Sequence, residues 1–433
     1  MRALLAAILL AAVPLGAHAE GVVVFDGPDV LTGAGPRIAG ARIVVRDGKI
    51  AALGPAETVS VPAGAQVVDC RGKLVIPGLV DTHSHLGVYP RPRVPAHADG
   101  NETSAPLQSA VRALDAIWPD DPGIRMARAG GVTTANIMPG SGNPVGGQTA
   151  YVKLRGSTVE EMLIAGATGG LKMANGENPK RVYGKREKAP RTRMAVAALQ
   201  RELFVDAQAY REKWERGRND DDESPLTRDL ALEPVVEVLE GRRTVHYHTH
   251  RADDIMSALR LREEFGFDLV LQHATEAFAV ADQIAAAQVP VSIIVIDSPG
   301  GKHEAIRLRF ANGEELERAG VRVAIHTDDP ITSSRLFLRS AAFAVRGGMS
   351  PDAALRAVTL EAARMLRLDE RLGSLEVGKD ADLVVLSGEP FSVYTKVLET
   401  WIEGERVFDR NDPNDRIYAT GGFASERRPE PLQ

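Results

Sequence analysis

The chain has 433 residues, of which 44% are hydrophobic and 25% are charged, and its formal net charge at pH 7 is −6. This composition is typical of a globular protein and excludes a disordered chain, a collagen-like fibre and a polytopic membrane protein. The mildly acidic charge argues against a nucleic-acid partner. A single cysteine, Cys70, excludes an intramolecular disulfide and a zinc site built from cysteines.

The N-terminal segment has the pattern of a secretory signal peptide. Arg2 supplies a positive charge, residues 4–15 form an apolar run too short to cross a bilayer, and Ala17-His18-Ala19 resembles a cleavage site. We therefore expect residues 1–19 to be removed and the protein to be exported, to the periplasm or outside the cell. An uncleaved anchor or a buried N-terminal helix is the alternative. No membrane association is predicted after cleavage.

Short β-branched runs predict a β-rich segment at each end of the chain. The runs are 22–25, 42–45 and 66–69 near one end, and 381–386, 397–402 and 406–408 near the other. Glycine and Asp-Gly turns separate the first three. We predict that residues 20–76 and 373–433 together form one small β-sandwich domain.

The middle of the chain, residues 77–372, alternates apolar strands with amphipathic helices. Strands are predicted at 131–138, 244–248, 267–273, 290–296 and 321–326, and helices at 194–214, 254–264, 276–287 and 303–319. Strand ends recur about every 25 residues, the length of a βα unit. The predicted fold class is α/β, with a (β/α)8 TIM-like barrel. A doubly wound sheet is the alternative, although no glycine-rich phosphate loop supports it. The acidic run 219–223 is interpreted as a solvated loop.

Seven of the ten histidines fall into groups that each follow an apolar run: His83 and His85; His246, His248 and His250; His273; and His326. Active sites of barrels lie at the carboxyl ends of the strands, so these groups can converge although they are far apart in sequence. Residues i and i+2 of a strand face the same side, which lets a His-x-His pair reach one ion. The pattern predicts a divalent metal site, with zinc as the first choice. Only one histidine of the 246–250 run is expected to be a ligand.

The motifs around these histidines resemble the amidohydrolase superfamily of metal-dependent hydrolases. Residues 75–87, which read Val-Ile-Pro-Gly-Leu-Val-Asp-Thr-His-Ser-His-Leu-Gly, are similar to the family's first-strand signature. Residues 378–386 are similar to its return to the small β domain. The likeness covers nearly the whole chain after the signal and is strongest to the imidazolonepropionase-like and prolidase-like branch.

This resemblance implies a set of metal ligands, with one or two ions bound. The implied ligands are His83, His85, Lys172, His248, His273 and Asp328, with Lys172 carboxylated as a bridge between two ions. Residues 175–180 depart from the family's usual continuation and leave Glu177 as a rival bridge. The family's deaminases often carry His-x-x-Glu on strand five, but this strand reads His-Thr-His-Arg from His248, which disfavours ring deamination.

The expected reaction is attack of metal-activated water on a C–N bond in an amide, a dipeptide or a cyclic amide. Asp328 would accept the proton of the water and later pass it to the leaving nitrogen. His250 or His246 would stabilise the oxyanion, and Asp81 would orient a ligating imidazole.

A small-molecule substrate is expected, and the basic residues that follow the predicted fourth and fifth strands are either a solvated charged surface or a clamp for a substrate carboxylate. Arg181 or Arg251 would clamp the carboxylate, and Tyr183 is a further predicted substrate contact. Such substrates would be dipeptides or N-acyl amino acids. The alternatives are a metal-dependent lactonase or esterase, a deaminase, and a non-catalytic binding protein on the same scaffold. A homo-oligomer is also open.

Overall fold

The computed structural model describes residues 21–219, 227–296 and 301–421. The predicted signal peptide and most of the acidic run at 219–223 lie outside these ranges. The strands are β1 (Val23–Asp26), β2 (Asp29–Val30), β3 (Ala41–Arg46), β4 (Lys49–Pro55), β5 (Gln66–Asp69), β6 (Leu74–Pro77), β7 (Leu79–Ser84), β8 (Val132–Ile137), β9 (Val145–Gln148), β10 (Ala150–Lys153), β11 (Gly170–Ala174), β12 (Thr244–Thr249), β13 (Leu269–His273), β14 (Val291–Ile294), β15 (Val323–His326), β16 (Leu383–Leu386), β17 (Val397–Ile402) and β18 (Glu405–Asp409).

The α-helices lie mostly in the middle of the chain. They are α1 (Pro122–Ala129), α2 (Val159–Met162), α3 (Glu177–Gly184), α4 (Arg193–Asn219), α5 (Glu233–Leu239), α6 (Ala252–Phe265), α7 (Ala281–Ala286), α8 (Asn312–Arg318), α9 (Phe337–Arg346), α10 (Pro351–Ala357), α11 (Leu360–Met365) and α12 (Pro413–Thr420). Within the described ranges, no helix combines the length and the apolar composition that crossing a bilayer requires.

Two sheets bring the ends of the chain together. One has the strand order β4-β3-β1-β5 and the other has the order β18-β17-β16-β6-β2. The antiparallel pairing of β16 with β6 therefore joins the C-terminal strands directly to the N-terminal segment. Side chains from both sheets form one buried apolar cluster, in which the rings of Phe25 and Trp401 meet edge to face and Cys70 is fully buried. Burial of this shared apolar surface holds the two ends of the chain together.

The middle strands follow one another in chain order, which gives the mixed α/β class that was predicted. Strands β11 to β15 pair side by side in parallel, and β7 pairs in parallel with β8. Between these groups, β10 runs antiparallel to β8, and β9 runs antiparallel to β11. Strand β15 packs beside β7, and a bridge between Ser84 and Asp329 extends this contact. The carboxyl ends of the parallel strands consequently carry His83, His248, His273 and His326 to one edge.

The prediction of one continuous helix over 303–319 was wrong. A 3-10 helix covers only His303–Ala305, and α8 does not begin until Asn312. Between them, the guanidinium groups of Arg307 and Arg309 both lie over the ring of Phe278, at 4.9 and 3.4 Å from its centroid. Residues two apart on an α-helix do not face the same side, so this shared contact is incompatible with a helix here.

Gly78 marks the point where the apolar run 74–80 divides into two strands of different sheets. Strand β6 joins the sheet of the chain ends, whereas β7 begins the series of the middle strands. A Cβ atom at Gly78 would lie only 2.2 Å from Oγ1 of Thr133 on the neighbouring β8. Glycine is therefore required here for close approach of β7 to β8.

We predict that Gly78→Ala lowers the free energy of unfolding by about 1–3 kcal/mol, because the added methyl group overpacks a buried contact. Gly184→Ala is the matched control, since a Cβ there meets nothing within 4 Å. Denaturant or thermal unfolding of the two variants measures the difference. Equal stability of both would contradict the packing explanation, and added Thr133→Ala should recover part of the loss.

Candidate metal centre

Backbone hydrogen bonds between the ends of β7 and β15 position the first part of the centre. The N–H of Asp328 donates to the carbonyl of His83 at 2.9 Å, and the N–H of His85 donates to the carbonyl of Asp329 at 3.2 Å. These bonds set the Asp328 side chain close to the imidazole of His83 on β7 and to that of His85, which directly follows β7. Asp328 has a φ of 51°, a left-handed conformation that is uncommon for a residue with a side chain and is often found at functional sites.

Asp81 binds backbone groups on both sides of the centre and no imidazole of the described residues. The prediction that it orients a ligating imidazole was therefore wrong. Its carboxylate accepts hydrogen bonds from the backbone N–H groups of His83 and Thr327, at 3.2 and 3.1 Å, and from the Thr327 hydroxyl. Burial raises the pKa of Asp81 to about 7, although these hydrogen bonds act in the opposite direction. Asp81 therefore connects the strand that carries the His-x-His pair to the loop that carries Asp328.

The side chains of His83, His85 and Asp328 form one set of donors. Oδ1 of Asp328 lies 3.0 Å from Nε2 of His85 and 3.4 Å from Nε2 of His83. Nδ1 of His85 donates to the carbonyl of Met138 at 2.7 Å, which leaves Nε2 for the site. Burial opposes ionisation of Asp328, but its contact with the His85 ring holds the pKa of this carboxyl below the usual value.

Lys172 lies inside the same region with its amine fully buried. Nζ is 2.9 Å from Nε2 of His83 and 3.1 Å from Sδ of Met138. No carboxylate among the described residues forms an ion pair with it. Burial lowers the pKa of Lys172 to about 7, so the neutral amine is populated near neutral pH. A neutral amine is the form that reacts with carbon dioxide to give a carbamate.

Three further imidazoles, those of His248, His250 and His273, meet beside this set. Their ring centroids are separated by 4.5 to 4.9 Å. Nδ1 of His250 is 2.7 Å from Oγ1 of Thr275, and Nδ1 of His273 is 3.1 Å from Nε2 of His326. Burial lowers the pKa of each of the three well below the ordinary value for histidine. Neutral imidazole is the form that binds metal ions.

His246 is fully occupied and lies away from the reacting region. Its Nε2 is 2.8 Å from the hydroxyl of Tyr151, and its Nδ1 is 3.0 Å from Nε2 of Gln272. Neither nitrogen remains for an oxyanion, so His246 as an oxyanion donor was wrong. Both nitrogens of His326 are likewise engaged. Its Nδ1 bonds to Ser292 at 2.8 Å, and its Nε2 contacts Nδ1 of His273 and so positions that ring.

Glu304 was not singled out in the sequence, yet its carboxylate lies against the second group of imidazoles. Oε1 is 3.7 Å from Nε2 of His248 and 3.8 Å from Nε2 of His250. Oε2 accepts the backbone N–H of Glu177 at 2.8 Å. The Glu177 carboxylate in turn accepts the backbone N–H of Glu304 at 3.3 Å. Glu177, the rival bridge, is therefore engaged with the loop of Glu304 rather than with an imidazole.

The donor atoms are close enough together to hold metal ions. Within three sets the ligand atoms all lie within 4.8 Å of one another: His83, His85 and Asp328; His248, His250 and His273; and His83, His273 and His326. Nε2 of His250 and Nε2 of His273 are buried and have no hydrogen-bond partner in the part of the chain that the structure describes. Buried polar atoms are costly unless something satisfies them, and imidazole with carboxylate is a donor set that suits zinc and related ions.

A cavity of about 510 Å³ opens over His85 and Asp328. Three cationic side chains line it, those of Arg93, Arg181 and Lys302, and Asp328 is the one carboxylate among its described lining residues. None of the three cations forms an ion pair with a described residue. The mouth of the centre is thus positively charged and suited to an anionic ligand.

The structure brings one of the three predicted substrate residues to this cavity. Arg181 lines it and donates to Oδ1 of Asn178 at 3.0 Å. Tyr183 is buried, and its hydroxyl donates to the carbonyl of Ala105 at 2.6 Å, so this predicted substrate contact was wrong. Arg251 is paired with Asp253 at 2.8 Å and is not among the lining residues.

Comparison with known proteins gives a consistent result. A family model described as "Amidohydrolase family" matches residues 121–408. The amidohydrolase tasK of Hapsidospora irregularis is 31% identical over 371 residues, which are 81% of this chain but only 38% of that longer protein. An imidazolonepropionase of Brucella anthropi is 26% identical over 406 residues, covering 86% of this chain and 89% of that protein. The crystal structure of an amidohydrolase from Thermotoga maritima has a TM-score of 0.86 at 39% identity and covers 90% of this chain and 100% of that chain.

We predict that chelation lowers the melting temperature and that added zinc restores it, because an ion that binds only the folded state stabilises it. The gain is about 2.7 kcal/mol at a free concentration a hundred times Kd. Differential scanning calorimetry of stripped and zinc-loaded protein measures it. His85→Ala should shrink the zinc-dependent shift, whereas His303→Ala, at an exposed position outside the donor sets, should not. A shift that His85→Ala leaves unchanged would argue against this centre.

Proposed function

Because this chain belongs to the amidohydrolase family, we propose that it is a metal-dependent hydrolase that cleaves a C–N bond of an anionic small molecule. The bond would be an amide, a dipeptide or a cyclic amide, and the similarity to an imidazolonepropionase favours C–N over ester cleavage. The observation that carries the proposal is the position of the cationic cavity, which opens directly onto His85 and Asp328. Substrate charge and the reacting bond would therefore be held in one continuous space.

The residues present fit divalent ions, with zinc as the proposed metal. His83, His85 and Asp328 would hold one ion, and His248 and His273 supply imidazoles for another. A bound ion would lower the pKa of a water molecule and polarise a substrate carbonyl. Lys172 is proposed as the carboxylated bridge, since its amine is buried and its neutral form is populated near neutral pH.

Asp328 is the proposed general base. Its pKa lies below the usual value, so the carboxylate is ionised at neutral pH and ready to accept a proton. It also lines the cavity together with His85, and its Oδ1 lies 3.0 Å from Nε2 of His85 and 3.4 Å from Nε2 of His83. The same carboxyl group, once protonated, faces the cavity and can return the proton to a leaving nitrogen.

The architecture and location are proposed on the same basis. Family membership and the packing of β15 beside β7 support a closed (β/α)8 barrel over residues 77–372. Residues 20–76 and 373–433 would form the β-sandwich domain. Export after removal of residues 1–19 rests on the sequence pattern alone.

Hydrolysis of a substrate panel by zinc-loaded protein tests the function. The panel holds dipeptides and N-acyl amino acids, the same compounds with the terminal carboxylate amidated, and matched lactones. We predict turnover of the carboxylate-bearing amides, with Arg181→Ala raising KM for them about 10- to 100-fold through loss of a charged hydrogen bond.

Arg251→Ala is the matched control for this series, because Arg251 is paired with Asp253 away from the cavity. Its KM should stay close to that of the wild type. Equal effects of Arg181→Ala on charged and amidated substrates would argue against the clamp. Preferential turnover of the lactones would contradict the assigned bond type.

We predict that Asp328→Asn keeps bound metal but loses most turnover, with kcat falling about 100- to 10,000-fold as expected for loss of a general base. The asparagine preserves size and one oxygen donor, but it cannot accept the proton. Metal content and kcat measured on the same preparation separate the two roles. Near-normal turnover in this variant would contradict the role of Asp328 as the general base.

A further inference from the structure

Three buried polar atoms of Glu304 and the second group of imidazoles are unsatisfied among the described residues. They are Oε1 of Glu304, Nε2 of His250 and Nε2 of His273, which belong to side chains that are 3%, 4% and 1% exposed. Each is buried and has no hydrogen-bond partner within residues 21–219, 227–296 and 301–421. Such atoms are rare in folded proteins, because leaving them unpaired costs free energy, and a bound cation is a ligand that satisfies both a carboxylate oxygen and an imidazole nitrogen.

The spacing of these atoms suits an ion rather than direct contact. Oε1 of Glu304 is 3.7 Å from Nε2 of His248 and 3.8 Å from Nε2 of His250, which is too far for a hydrogen bond. Two ligands about 2.1 Å from a tetrahedral zinc ion are separated by about 3.4 Å. The donors of His248, His250 and His273 also lie within 4.8 Å of one another. Oε1 of Glu304 therefore lies beside two of these three donors.

We propose that Glu304 and His250 are metal ligands and that they complete, with His248 and His273, a second ion position. The proposal rests on the proposed function, since it takes the ions to be the divalent metals of the same centre. It gives His250 a ligand role in place of the oxyanion role predicted from the sequence. It also adds to the centre a carboxylate from the loop after β14.

The loop that follows β11 holds Glu304 in place for this role. Oε2 accepts the backbone N–H of Glu177 at 2.8 Å, and the Glu177 carboxylate accepts the backbone N–H of Glu304 at 3.3 Å. Gly176 has a φ of 79°, and a Cβ there would lie 2.4 Å from Oε2. This reciprocal pair engages one oxygen of Glu304 and leaves Oε1 directed at the imidazoles.

The reciprocal pair also supplies a matched experiment. Both carboxylates accept a backbone hydrogen bond from the other residue, but only Glu304 faces the imidazoles. Glu304→Gln and Glu177→Gln therefore remove one charge each from the same contact. A purely structural role predicts equal effects of the two substitutions, whereas a ligand role predicts that only Glu304→Gln weakens metal binding.

Metal binding is measured on full-length protein stripped with a chelator, by elemental analysis after zinc loading and by titration with cobalt, whose visible spectrum reports coordination. Wild type should bind about two ions per chain and Glu304→Gln about one, with the affinity for the second ion at least about 10-fold weaker. Glu177→Gln should bind both ions normally. His250→Asn should reproduce the loss from the opposite side of the site, which guards against a folding defect particular to Glu304→Gln.

Retention of both ions by Glu304→Gln, or equal losses in the two glutamine variants, would overturn the proposal. Wild-type protein that binds one ion and hydrolyses the amide panel would overturn only the second position and leave the proposed function intact. Wild-type protein that binds no divalent ion would overturn the proposed function as well.

Discussion

In four imidazoles of the centre, Nδ1 forms a hydrogen bond with a neighbouring group, which leaves Nε2 available to the site. The pairs are Nδ1 of His83 with Gln272, of His85 with the Met138 carbonyl, of His250 with Thr275 and of His273 with His326. Such partners fix the orientation of the ring and favour the tautomer whose Nε2 has a free lone pair. The partners lie on other strands of the middle segment or on the loops that follow them, so the positions of these strands determine where each lone pair points.

Burial has a second effect on the same rings, because it keeps them neutral. Desolvation lowers the pKa of His83, His248, His250 and His273 well below the ordinary value, and these side chains can crowd together without mutual repulsion. One of these closely packed residues also has a strained backbone conformation. His273 has a φ of 69° at the end of its strand. Strain of this kind persists where surrounding contacts fix the conformation, which the hydrogen bonds around the centre do.

The parts of this centre that follow a strand could be predicted from the sequence, and the parts that depend on loops could not. His83 and His85 were found because the two-residue period of a strand sets both on one face. Glu304 was missed because a single loop carboxylate leaves no periodic pattern, and its segment looked helical. Tyr183 was misplaced through its closeness in sequence to Arg181. Both lie on α3, where residues two apart face different sides, so Arg181 reaches the cavity and Tyr183 packs inward.

The fold shows the same division. The parallel strands β12 to β15 were predicted within a few residues, because apolar runs mark them and histidines lie at or near the ends of three of the four. The antiparallel stretch of β9 and β10 had no such signal, since Gly146 and Gly147 interrupt its alternation. The two-residue alternation of side chains is the same in parallel and antiparallel strands. It therefore cannot reveal that this segment is antiparallel to its neighbours.

The imidazole donors and the cations of the cavity also lie on different kinds of segment, strands for the donors and mainly loops for the cations. Most of the imidazole donors sit on or directly after strands β7, β12 and β13, whose pairing resists change. The cations of the cavity, Arg93, Arg181 and Lys302, sit on connecting segments and on the short helix α3. Loops tolerate substitution far better than paired strands do. Charge at the mouth can therefore change with little effect on the donors beneath it, whereas the carboxylate of Glu304, which also lies outside the strands, is 3.7 Å from the imidazole of His248 and 3.8 Å from that of His250.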